Sequence, residues 1–187
     1  MPDIPEALAA IILEASEETI SQTGFCPQPQ VHIFLEDMDA AYVGYVVSRR
    51  FYRGDDAASA IAALGVLPSV LMATRLIIAW EDSDLRTALE LPGNGFATGM
   101  VLVDASFDRH VLRWHPFRAE AAPAGSAARA RVTWATPARY ENVPLLAPIE
   151  ALLAVWREFR GDDLERTALE LQQAGYEVNW ASPIAGK

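Results

Sequence analysis

Apolar positions recur at helical spacing near the start of the chain, where Leu8, Ile11, Ile12 and Ala15 share one face and predict an amphipathic helix over 4–22. Asp3 and Glu6 suit its first turn, where Pro5 is tolerated, and Gly24 and Pro27 end it. The period then changes to two. Val31, Ile33 and Leu35 alternate through V-H-I-F-L-E, and Y-V-G-Y-V-V-S-R (42–49) reads as the hairpin partner across a turn at 37–41. Asp55 or Asp56 caps an alanine-rich helix running to Leu64 before Gly65; Pro68 interrupts, and 69–74 is read as one more helical turn. R-L-I-I-A-W (75–80) is a short apolar run suited to a central strand, followed by a helix from Asp82 or Ser83 to Leu91.

Three consecutive strands are expected at 99–107, 109–117 and 129–136, the last two joined by a small-residue loop (119–128) read as mobile. Pro137, Pro144 and Pro148 frame an irregular stretch, two helices (149–160 and 163–174) break at Gly161, and Y-E-V-N-W-A forms a last strand. The expected fold is α+β: a mostly antiparallel sheet of about six or seven strands, flanked by an N-terminal helix and a C-terminal helix pair, in a single domain spanning 1–187. Arg-Gly-Asp-Asp stands at both 53–56 and 160–163. A glycine helix stop followed by an aspartate cap explains both without a duplication.

Composition narrows the class. With 187 residues and 51% hydrophobic content, the chain can bury a core without disulfides or structural metal. Its one cysteine, Cys26, fits a reducing cytoplasm, and an acidic start without Lys or Arg does not resemble a secretory signal. The single lysine is Lys187, so no internal lysine exists for Schiff-base or phosphate-loop chemistry. Dinucleotide-loop, phosphate-loop, nucleophile-elbow and H-E-x-x-H patterns are absent from the sequence.

Charge is segregated. Residues 1–48 hold eight acids and no Lys or Arg, whereas residues 109–140 hold six arginines against Glu120 alone. If Trp114 and Trp134 both point to the core, alternation places Arg113, His115, Arg129 and Arg131 together on the opposite sheet face. A second cluster, Arg49, Arg50, Tyr52 and Arg53 beside Tyr42, Tyr45 and Phe51, has the aromatic–arginine composition of interface hot spots. These eight residues, Arg49, Arg50, Tyr52, Arg53, Arg113, His115, Arg129 and Arg131, are the expected partner-binding set.

Catalytic candidates carry weaker signals. Asp104, Asp108, His110 and His115 cluster on neighbouring strands, but His110 and His115 have opposite parity. Glu81, Asp82 and Asp84 could hold a divalent ion, although a helix start favours the same residues. Cys26 and His32 lack an evident third group for nucleophilic catalysis. The leading expectation is a cytoplasmic, non-enzymatic protein that binds another protein, a second copy of itself included, with no cofactor, metal, catalytic residue or membrane contact. The alternatives are a small metal-dependent or acid/base enzyme using residues near 81–84 and 104–115, and an anion or nucleic-acid binder. A pI of about 4.7 argues against a nucleic-acid partner.

Overall fold

The computed structural model describes residues 4–38, 41–123, 125 and 129–181. Helix α1 (Ile4–Thr23) leads into the hairpin β1 (Gln30–Phe34) and β2 (Tyr42–Val47). Helix α2 (Asp55–Ala62) passes through a 3₁₀ turn (Ala63–Gly65) into α3 (Val66–Val70), followed by β3 (Arg75–Glu81) and α4 (Asp82–Ala88). Strands β4 (Gly99–Ala105), β5 (His110–Glu120), β6 (Arg131–Trp134) and β7 (Ala138–Glu141) come next, then α5 (Ala147–Trp156), α6 (Leu164–Gln173) and β8 (Glu177–Trp180). The strands form an eight-stranded sheet ordered β6-β5-β4-β3-β1-β2-β8, with β7 also paired to β5, and the pairings are antiparallel.

Both faces of the sheet centre are covered, which is why β3 and β4 read as continuous apolar runs rather than alternating ones. On one face Val31, Ile33, Leu76, Ile78, Trp80 and Val103 pack against Ile61, Leu64, Leu67, Leu152 and Trp156 from the α2–α3 and α5 layer. On the other, Phe34, Ile77, Ala79, Met100, Leu102 and Phe117 pack against Ala9, Ile12 and Ile20 of α1. Gly65 lets the two helical segments of the first layer touch: a Cβ there would lie 2.3 Å from the Leu152 carbonyl oxygen of α5.

Several expectations change. Pro68 lies inside α3 rather than interrupting before a turn at 69–74; three residues into the helix, its missing N–H has no intrahelical acceptor to lose. The 137–148 stretch contains β7, whose Val111↔Glu141 to Trp114↔Ala138 register extends the sheet beyond β5. Residues 119–120 belong to β5, and 124 and 126–128 of the expected loop lie outside the described residues.

The largest correction concerns parity. Trp114 packs with the α2–α3 and α5 core, whereas Trp134 packs with the α1 core. The reason is the register: Phe117 pairs directly with Trp134 and lies three positions from Trp114, hence on the opposite face. Arg113 and His115 share Phe117's parity and so lie on Trp134's side. Arg131 alternates away from Trp134, and with Arg129 it borders an open groove beside Glu14, Glu17 and Glu18 of α1. The four residues do not form one common cationic face.

Candidate functional site

The carboxylates at the end of β3 acquire their geometry from a helix start. Glu81, rather than Asp82 or Ser83, is the N-cap of α4. Its carboxylate accepts from the backbone N–H groups of Ser83 (3.2 Å), Asp84 (2.6 Å) and Gly99 (2.9 Å). Only 3% of Glu81 is exposed. Burial raises its pKa and these backbone donors oppose the rise. Asp82 is turned away into contacts with Arg86 Nε (2.6 Å) and Trp80 Nε1 (3.3 Å).

Cys26 comes from far away in sequence. Because β1 pairs with β3 antiparallel, with Gln30 opposite Ala79, the segment preceding β1 runs past the residues that follow β3. The Cys26 sulfur and one oxygen from each of Glu81 and Asp84 therefore lie within 4.8 Å of one another. Burial, then the charges of Asp84 and Glu81, push the thiol up to about 12, and a hydrogen bond to Asp84 adds to the effect. At neutral pH Cys26 is a thiol that donates to a carboxylate, not a poised nucleophile. Replacing Asp84 with Asn is accordingly expected to speed alkylation of Cys26 by iodoacetamide at pH 8. An unchanged rate would show that Asp84 does not hold the proton.

These three residues line a cleft of about 320 Å³ that is also walled by Pro27, Phe51 and Tyr52. The 49–53 segment reaches it because Asp56 gathers that loop. Arg49 reaches Asp56 through Nη2 (2.6 Å) and Nη1 (3.2 Å), and the Tyr52 backbone N–H donates to the same carboxylate (2.7 Å). Arg49 is thus an anchor within the fold. Tyr52 is held outward at 86% exposure, Arg50 and Arg53 are exposed, and Arg53 borders the cleft. Phe25, next to Cys26, is 76% exposed.

Of the other candidates, Asp104 and His110 border one cavity, and each candidate has its own partner. Asp104 forms a fork with Arg75 (2.7 and 2.6 Å), and Asp108 accepts from Ser106 (3.1 Å). The His110 ring Nε2 lies 2.8 Å from the Val143 carbonyl oxygen. His115 is partly buried, its pKa lowered by burial and then by Arg113. Cys26 and His32 find different partners, the ring of His32 meeting the Tyr42 hydroxyl at 2.9 Å. The convergence of Cys26 with Glu81 and Asp84 had no local signal in the sequence; only the strand register creates it. No family model, no curated protein and no solved structure matches the chain. Among the described residues no helix is long and apolar enough to cross a membrane.

Proposed function

We propose that this chain acts in the cytoplasm by binding another protein, and that the cleft receives a cationic side chain, lysine or arginine, of that partner. One observation carries the reading: a buried carboxylate, Glu81, and a second, exposed acid, Asp84, line one cleft with Phe51 and an outward-held Tyr52. Carboxylates take a guanidinium or ammonium through charge-assisted hydrogen bonds, and an aromatic face adds cation–π attraction. Exposed Tyr52 lines the cleft, and exposed Phe25 precedes Cys26 in the chain. Arg53, which also lines the cleft, supplies a charge for acids of the same partner, with Arg50 exposed on the same segment. That composition, aromatic anchors with arginines around them, suits a binding hot spot.

The test is capture on immobilised protein in three forms: wild type, Asp84→Asn and Tyr52→Ala. The expected result is a species retained by the wild type, displaced by N-acetyl-arginine amide, and lost from both variants. Equal retention by all three forms overturns the proposal. The mutual distances of Cys26, Glu81 and Asp84, all within 4.8 Å, favour a second reading in which they hold a zinc-class cation with an open position. Cobalt(II) binding with a thiolate absorption band that vanishes in Cys26→Ser selects that reading instead.

A further inference from the structure

A second cavity, of about 370 Å³, lies at the outer part of the α1-side sheet face and is lined by four arginines: Arg75, Arg109, Arg113 and Arg139. They come from separate places. Arg75 starts β3, Arg109 belongs to the β4–β5 turn, and Arg113 and Arg139 lie on neighbouring strands β5 and β7. The acids in the same cavity are Glu36, Asp104 and Glu141. Each is engaged by an arginine: Asp104 and Glu36 by Arg75 (2.6 and 3.1 Å), and Glu141 by Arg139 (2.8 Å). Among the described residues Arg113 has only Glu6, at 4.0 Å, and Arg109 has no ion pair.

The register makes this arrangement unusual. Arg113 and Arg139 are directly opposite one another across the β5–β7 ladder, so like charges occupy one cross-strand pair, a placement that destabilises a sheet. Glu141 offsets Arg139 at 2.8 Å, but Arg113 has only the 4.0 Å contact with Glu6, and an anion lodged between the two guanidinium groups would turn the remaining repulsion into two charge-assisted contacts. Arg109, on the adjoining turn, can add a third. Guanidinium forks match the paired oxygens of a phosphoryl group. We infer that this basin binds a small phosphoryl-bearing anion, bridged by Arg113 and Arg139.

Calorimetric titration of the whole chain at low salt, with inorganic phosphate and with pyrophosphate as probes, tests the inference. Saturable one-to-one binding is expected for at least one of them. Arg113→Gln and Arg139→Gln should each weaken it by about tenfold or more. Arg113→Gln should keep or raise the thermal midpoint, because it removes the like-charge pair and loses only the 4.0 Å contact with Glu6; Glu141→Gln, which deletes a competing carboxylate, should bind more tightly. If the arginine pair were needed only for folding, both Arg variants would lower the midpoint and leave anion affinity unchanged. That result overturns the inference, as does the absence of saturable binding to either probe. Binding to a single-stranded oligonucleotide that strengthens with length, without binding to the small probes, also overturns it, by moving the ligand class to a polymer backbone.

Discussion

Replacing Trp156 with alanine is expected to lower stability by about 3–5 kcal/mol, read as a shift of the urea midpoint at constant slope. Trp156 is 0% exposed, among the largest fully buried side chains described. It sits in the core shared by α5, the α2–α3 segment and the sheet, and its indole N–H donates to the Ala73 carbonyl oxygen at 2.9 Å. Truncation therefore leaves both a cavity and a buried carbonyl without its donor, and the two penalties act in the same direction. The packing leaves little room for collapse around the gap, because Gly65 already brings the turn backbone against Leu152 and Trp156. Trp156→Phe keeps most of the ring volume and loses the hydrogen bond, so it should cost clearly less. A loss below about 1 kcal/mol for the alanine variant, the level typical of surface substitutions, would contradict the role assigned to this layer.

Acidification should reveal a second large effect, through His32. This ring, carried by β1, is buried and stacked on Tyr45 at 5.1 Å, with Nδ1 at 2.9 Å from the Tyr42 hydroxyl and Nε2 without a hydrogen-bond partner among the described residues. Burial lowers its pKa from 6.5 to about 4. Between those two values the unfolded chain binds a proton that the folded ring refuses. The contribution of His32 is therefore complete above about pH 6.5 and is lost as the pH falls towards 4, by about 3 kcal/mol at the acid end. His115, lowered by burial and then by Arg113, acts in the same direction. Stability measured from pH 7 to 4 should fall less steeply in His32→Phe than in the wild type, the difference isolating this ring from the carboxylates. Parallel curves would contradict the assignment.

Local periodicity carried much of the architecture. Helical spacing of Leu8, Ile11, Ile12 and Ala15 marked α1, although the buried face runs through Ala9, Ile12, Ser16 and Ile20 and leaves Ile11 and Ala15 exposed. The apolar run 75–80 marked a central strand because burial on both faces is written directly into such a run. β7 was illegible for the converse reason. Its Arg139, Tyr140 and Glu141 are exposed, it follows Pro137, and it carries no buried alternation. The cationic-face expectation failed because parity inside a strand says nothing about which face a neighbouring strand presents. That is decided by register, and Phe117 opposite Trp134 reversed it.

The candidate cleft shows the same division. Its parts were visible separately, as an aromatic–arginine segment at 49–53 and an acidic helix start at 81–84, since each has a local composition signal. Their meeting, together with Cys26, depends on β1 lying beside β3 and on Asp56 drawing in the 49–53 loop. Glu81 also looked like one of three equivalent acids. Capping separates them, since one side chain receives three backbone N–H groups and is buried while Asp82 turns to Arg86.

The central claim is that the two carboxylates lining this cleft recognise positive charge. Backbone amide shifts recorded during titration with N-acetyl-arginine amide, and separately with its uncharged citrulline counterpart, address it most directly. Saturating shifts for the arginine compound, confined to residues 26–29, 51–53 and 81–88 and absent for citrulline, are the expected result. Shifts that are equal for both compounds, or that fall elsewhere on the chain, would contradict it.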